Sequence, residues 1–301
     1  MKKRLLLIAL IILSFSLVGC EKTQIIEDEK LNIITSFYPM YIATANIVDG
    51  VEDVTLECLA SPEVGCLHDY QLTVNDMKKL EGADVFVING GGMESFLDKA
   101  ISVYPEIKII NASTDILEEH HEEHKHEEGH HHEENPHVWV SVSLYIEQIK
   151  NIVDDLKNVD PQNADKYEAN AKLYIEKLTE LKNEMHIKAK TFNSKNIVTF
   201  HEAFEFFAEE FDLNIVAVIE REPGTSPSAK DLVEIVDTIN ELEVNAIFVE
   251  PQYLKTAATT IANETKVNTY ELDPVVSGTF EKDAYEKIMR KNIEVLEEAL
   301  K

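Results

Sequence analysis

The sequence predicts an α/β fold in which two sets of parallel strands are joined by one long helix. Three observations carry that expectation. Short, near-continuous apolar runs alternate with helical patterns, which is how strands covered on both faces by crossover helices read. The runs fall into two sets: Leu31–Ser36, Val54–Leu59, Asp84–Asn89 and Ile107–Asn111, then Asn196–Phe200, Asn214–Ile219, Ala246–Glu250 and Val267–Leu272. Between the sets, Asp160 to about Thr191 is strongly charged, has no Gly or Pro beyond Pro161, and carries a partial apolar stripe of Tyr167, Leu173, Tyr174, Leu178 and Leu181. A helix of about 30 residues there would span about 45 Å at 1.5 Å per residue. It reads as a rigid strut between two lobes.

The first residues stand outside this pattern. Lys2, Lys3 and Arg4 precede a 14-residue apolar run, Leu5–Val18, the layout of a secretory leader. The run is short of the roughly 20 residues that cross a bilayer as a helix. It ends in Leu17-Val18-Gly19-Cys20, which resembles a bacterial lipobox, so residues 1–19 are expected to be cleaved and Cys20 lipidated. That would anchor the protein to the lipid bilayer on the extracytoplasmic face of the bacterial cell membrane. One acyl chain holds weakly, so multiple acylation is expected. Residues 20–30 are charged and aperiodic and read as a tether. An N-terminal lobe is expected over 31–159, the joining helix over 160–192 and a C-terminal lobe over 193–301.

Local signals support individual elements. Thr73 and Asp76 make a capping-box start for a helix to Glu81, and Gly82 is a natural stop. Asp160 is a good N-cap for the strut and Pro161 a good first helical residue. Phe204, Phe206, Phe207 and Phe211 read as a buried helix face, and His186 as a surface residue of the strut.

Composition narrows the function. With 301 residues, 44% of them hydrophobic, the chain can build real cores; ten Gly and nine Pro exclude collagen-like and low-complexity classes. A formal charge of −28 argues against nucleic-acid binding, which needs a basic surface, and suits a partner that is a cation. Loss of Lys2, Lys3 and Arg4 with the leader takes that charge to −31. Seven of the eleven histidines, His120, His121, His124, His126, His130, His131 and His132, fall in residues 118–134, a segment otherwise made of Glu with one Lys and one Gly. With no apolar residue to bury, it reads as a solvated loop. Its expected role is weak, multiple zinc capture that fades below about pH 6.5, where imidazoles protonate.

Open α/β sheets place ligands beyond the carboxyl ends of their strands. Candidate metal ligands there are His68, His137 and His201, with Asp273 as an acidic fourth. Two come from each half of the chain, as a metal held in an interlobe cleft requires. Three imidazoles and a carboxylate make a four-coordinate zinc site. Such a site leaves no position for an activated water, so no enzymatic activity is expected. Cys58 and Cys66 form an even pair in a chain bound for an oxidising exterior, and a disulfide between them is expected. The alternative is Cys66 as a soft metal ligand near His68.

Several motifs occur in order: HDYQL at His68, NPHVW at His137, His201-Glu202-Ala203-Phe204, Pro223-Gly224-Thr225-Ser226-Pro227-Ser228 and Leu272-Asp273-Pro274. With the lipobox, they make the chain resemble the metal-binding lipoproteins of bacterial ABC importers, of the ZnuA/AdcA type, from about Leu31 to the C-terminus. The resemblance implies two pseudo-symmetric (β/α)₄ lobes with four-stranded parallel sheets, a rigid joining helix and metal in the interlobe cleft. It implies His68, His137 and His201 as nitrogen ligands and Asp273 as the acidic one. It also implies a monomer that passes Zn²⁺ to a membrane permease and, through it, to the ATPase of the importer. The third ligand is typically Glu in the manganese branch of that family, so His201 favours zinc. The cysteine pair is not part of the shared pattern. A manganese- or iron-binding homologue, a surface adhesin and, more distantly, a zinc metallohydrolase are the rival readings.

Two motifs fail on inspection. Asn89-Gly90-Gly91-Gly92-Met93 follows a strand as a phosphate loop would, but lacks the Gly-Lys-Ser/Thr ending. His201-Glu202-Ala203-Phe204-Glu205 begins like a zinc-protease helix, yet has Glu205 where the second His must stand.

Overall fold

In the computed structural model, described for residues 30–68, 70–118, 135–220, 227–252 and 256–301, the expected strands all form, each within the run that predicted it. In the first half they are β1 (Leu31–Thr35), β2 (Val54–Cys58), β3 (Val85–Ile88) and β4 (Lys108–Asn111). In the second half they are β5 (Asn196–Thr199), β6 (Asn214–Val218), β7 (Ala246–Val249) and β8 (Asn268–Glu271). The helices are α1 (Tyr38–Ile47), α2 (Val74–Glu81), α3 (Leu97–Val103), α4 (Val142–Val159), α5 (Ala164–Ala189), α6 (Glu205–Glu210), α7 (Ala229–Glu241), α8 (Thr256–Thr265) and α9 (Ala284–Leu300). The leader, Cys20, the tether and residues 119–134 lie outside the described residues, as does the start of the Pro223 turn. Among the described residues, no helix is long and apolar enough to cross a membrane.

The two halves repeat one topology. The first sheet has strand order β2-β1-β3-β4 and the second β6-β5-β7-β8, with every pairing parallel. Central β3 and β7, Val-Phe-Val-Ile and Ala-Ile-Phe-Val, are buried at every position, which is why they read as unbroken apolar runs. Edge strand β8, Asn-Thr-Tyr-Glu, is half exposed and correspondingly polar. One irregularity, between Ile197 and Val198, shifts the β5–β6 register just ahead of His201.

Capping settles α2 as expected. Thr73 Oγ1 accepts from the Asp76 N–H, and the Asp76 carboxylate accepts from the Thr73 N–H at 2.8 Å. The strut begins differently from its prediction. Pro161–Asn163 is a 3₁₀ turn, and the α-helix proper starts at Ala164. Asp160 does not cap the backbone. Its Oδ2 accepts from Tyr167 Oη at 2.6 Å and Asn163 Nδ2 at 2.8 Å, pinning the first turn through side chains. Leu173, expected in the apolar stripe, is 59% exposed; the buried face is Tyr167, Ala171, Tyr174, Leu178, Leu181, Met185 and Ala189. These recur at helical spacing, and α5 packs along α1, α4 and α9. Each fully buried large side chain contributes roughly 1.5–3 kcal/mol, so the strut is part of the core rather than a bare rod. A single hydrophobic core runs from β1 and β3 through α4 and α5 to α9 and the start of the second lobe. A smaller one, around Val198, Ile235, Ile247 and Ile261, fills the rest of that lobe. The Phe204, Phe206, Phe207 and Phe211 rings are all buried, and His186 is 39% exposed beside Glu210.

The glycine turn after β3 has a structural occupant. Gly90, Gly91 and Gly92 all have positive φ, and the Glu94 carboxylate accepts from the Asn89 and Gly90 N–H groups at 2.8 and 3.1 Å. The backbone donors that a phosphate would need here are already engaged by the chain's own carboxylate.

Candidate metal centre

The residues of interest hang from the carboxyl ends of both sheets. Cys66 and His68 lie in the loop after β2, and His137 precedes the 3₁₀ turn Val138–Val140 beyond β4. His201 and Asp273 come shortly after β5 and β8, and Glu250 directly follows β7. Residues Leu31–Lys301 form one compact unit, and histidines from the two sheets come together within it. Ring centroids of His137 lie 5.0 Å from His68 and 4.9 Å from His201, and His68 and His201 are 6.2 Å apart. His68 Nε2 is 3.3 Å from His137 Nε2, and Cys66 Sγ is 3.6 Å from the same nitrogen. The three predicted histidines, two from one lobe and one from the other, do converge.

Two of the three rings have a polar partner on the side away from the cluster. Asn135 Oδ1 accepts from the His137 backbone N–H at 3.1 Å and lies 2.7 Å from His137 Nδ1. An amide oxygen only accepts, so Nδ1 carries the proton and Nε2 presents its lone pair to the cleft. The Asn135 amide group in turn donates to Glu205 Oε2 at 2.7 Å and to the Glu202 carbonyl at 2.9 Å. The Asn-Pro-His segment is thereby tied to the segment that carries His201, and Glu205 serves as its acceptor. His201, 1% exposed, has Glu250 Oε1 3.4 Å from its Nδ1. A carboxylate behind a ligating imidazole raises its basicity and fixes its orientation.

Burial, then the neighbouring His201 and His68, hold the His137 pKa well below that of an ordinary imidazole. The ring is therefore neutral at neutral pH, as a metal ligand must be. Burial likewise raises the Glu250 pKa, with His201 pulling the other way. Asp273 is pushed up to about 6, chiefly by burial and secondarily by the charge of Glu250, against a hydrogen bond from the Val275 N–H at 2.8 Å.

Asp273 is not brought into the tight cluster. Among the described residues, one group of potential ligands has atoms within 4.8 Å of one another, and it comprises Cys66, His137 and His201. His68 joins it through His137, while the Asp273 carboxylate holds the turn at Val275. The disulfide expected between Cys58 and Cys66 is not formed, and both residues are thiols. Cys58 is buried at the end of β2, where burial pushes its thiol up to about 12 and Thr35 is a hydrogen-bond partner. Cys66 instead sits against His137, on the cleft side. Sequence reasoning overlooked Glu250 and Asn135. Glu250 carries the same strand-end signal as His201, but it read as the last residue of a buried strand.

The cleft is braced from both sides. Trp139, fully buried, packs edge-on to Phe37 and donates from Nε1 to the Pro274 carbonyl at 2.7 Å. Tyr285 Oη donates to the Trp139 carbonyl at 2.8 Å. Ser141 and Ser143 hydroxyls donate to the Glu210 carboxylate at 2.7 and 2.6 Å. These bonds join the His137 segment of the first lobe to elements of the second.

Comparison with known proteins identifies the family. The sequence model of the ZnuA family, described as the periplasmic component A of the zinc-uptake complex, matches residues 33–299. The chain is 35% identical over 286 residues to the high-affinity zinc uptake system protein ZnuA of Bacillus subtilis, covering 91% of this chain and 89% of that protein. It is 32% identical to the zinc-binding protein AdcA of Streptococcus pyogenes serotype M3, covering 98% of this chain but 61% of AdcA, so it spans about three-fifths of that relative's length. Zn(II)-bound AdcA from Streptococcus pneumoniae superposes with a TM-score of 0.75 at 30% identity, over 90% of this chain and 58% of that one. A mutant of the laminin-binding adhesin Lmb from Streptococcus agalactiae gives 0.79 at 28% identity, over 90% of this chain and all of the other. The chain belongs to the ZnuA family, that of the periplasmic zinc-uptake component.

Proposed function

We propose that this protein captures Zn²⁺ in the cleft between its lobes and delivers it to the permease of an ABC importer, whose ATPase drives uptake. The observation that carries the reading is the convergence of His68, His137 and His201 from two sheets onto one point, with two of the rings backed by Asn135 and Glu250. Neutral imidazoles suit zinc better than manganese. The expected acidic ligand, Asp273, lies outside the tight cluster and interacts electrostatically with Glu250, the carboxylate behind His201. On this reading the protein works as a monomer on the extracytoplasmic face of the membrane, lipid-anchored through Cys20, with residues 118–134 gathering ions near His137. Capture and release convert no substrate into product, in keeping with a family of transport components rather than enzymes.

The bracing across the cleft implies that metal exchange moves the loops carrying Cys66, His68 and His137 more than the lobes themselves. Delivery is tested by growth. The intact gene should restore growth of an uptake-deficient strain in zinc-limited medium, and a His201→Ala gene expressed to the same level should not. Equal rescue by both would contradict delivery through this site.

A further inference from the structure

The histidines do not account for the whole cluster. Cys66 Sγ approaches His137 Nε2 to 3.6 Å and belongs, with His137 and His201, to the group whose ligand atoms all lie within 4.8 Å. That spacing can be compared with the edges of a zinc tetrahedron. Bonds of about 2.3 Å to sulfur and about 2.0–2.1 Å to nitrogen place S and N about 3.5 Å apart and two N atoms about 3.3–3.4 Å apart. The separations here are 3.6 Å for Cys66–His137 and 3.3 Å for His68–His137, so both edges are nearly in place. The Cys66 thiol is not consumed in a disulfide, and the Asp273 carboxylate, expected as fourth ligand, stands outside the group.

We infer that Cys66 is a zinc ligand, giving a donor set of His68, His137, His201 and the Cys66 thiolate. This rests on the reading of the cleft as a zinc site. As the ion binds, the Cys66 S–H bond breaks, the proton passes to solvent, and the sulfur electron pair forms the S–Zn bond. No oxidant or reductant is involved. A thiolate is a soft donor that favours Zn²⁺ over Mn²⁺ more strongly than a carboxylate does. Cys66 is therefore a residue that sets metal choice, where an acidic fourth ligand would leave the site more tolerant. A simple thiol–imidazole hydrogen bond is the competing account of the 3.6 Å contact.

Zinc-edge X-ray absorption on zinc-loaded protein comprising residues 20–301 separates the two. One sulfur scatterer at about 2.3 Å beside nitrogens at about 2.0–2.1 Å is expected. In Cys66→Ser the sulfur should vanish and zinc affinity fall at least about tenfold, since loss of a mere orienting group already costs that much. Manganese affinity should hold, narrowing the preference. Cobalt-loaded wild type should show a sulfur-to-cobalt charge-transfer band that Cys66→Ser lacks. Tight zinc binding by wild type with an all-nitrogen-and-oxygen shell overturns the Cys66 assignment and leaves the zinc reading standing. Failure of wild type to bind zinc tightly overturns both. The absorption measurement on the unmutated chain decides the point even where the serine variant folds poorly.

Discussion

Replacing His137 with Ala lowers zinc affinity by about a hundredfold or more, because mutation of a group that only orients a ligand already costs 10–100-fold. His137 is the hub of the site: His68 Nε2 and Cys66 Sγ both face its Nε2, at 3.3 and 3.6 Å. The substitution also removes the Nδ1 contact with Asn135 Oδ1 that fixes the ring, leaving that oxygen only the backbone N–H of residue 137. Competition with a chelator of known affinity measures the effect, and Trp139, the only tryptophan, lies 5.2 Å from the His137 ring as an internal reporter. Undiminished affinity would contradict the assignment.

The same residue gives the site a pH signature. Burial holds the folded His137 pKa well below the ordinary value of about 6.5. Between those two values the unfolded chain binds more protons than the folded one. The metal-free protein therefore loses stability as pH falls below about 6.5, and His137→Ala removes that part of the slope. Zinc at the cleft is also retained to lower pH than zinc on solvated imidazoles, since the buried ring resists protonation.

Trp139→Ala costs about 4 kcal/mol of stability, the range for truncating a large buried aromatic. At about 2–4 °C per kcal/mol for a chain approaching this size, the melting temperature drops by about 10 °C. The ring is fully buried against Phe37, and its indole N–H holds the Pro274 carbonyl across the cleft at 2.7 Å. Trp139→Phe keeps most of the ring but leaves that carbonyl without its donor, and costs about 1–3 kcal/mol. Circular dichroism is the appropriate probe, because both variants remove the fluorophore. A loss below about 1 kcal/mol for the alanine variant would show that the cleft wall repacks.

The fold was legible because its signals are local. Short apolar runs such as Val85–Ile88 and Ala246–Val249, rich in β-branched and aromatic residues, read as strands buried on both faces, and Thr73 with Asp76 marks a helix start by chemistry confined to four residues. His68, His137 and His201 stand out by the rule that ligands follow strand ends together with the family motifs around them, and the structure brings the three together. Spacing could not fix the rest. Cys58 and Cys66 are near neighbours in sequence, yet Cys58 faces the core and Cys66 a histidine 71 positions away. Asp273 satisfies the strand-end rule equally well, but its carboxylate accepts from Val275 two residues on, the turn role that an Asp before a proline also suits. Leu173 fell on the wrong side of the strut because a partial stripe in a charged helix leaves its phase underdetermined.

The central claim is that the cleft is a site for zinc, and a competitive titration of the mature chain with Zn²⁺ and Mn²⁺ tests it most directly. The account predicts one tight site that holds Zn²⁺ against an excess of Mn²⁺ and weakens sharply in His68→Ala, His137→Ala and His201→Ala. Manganese retained in preference to zinc, or zinc binding indifferent to all three substitutions, would contradict it.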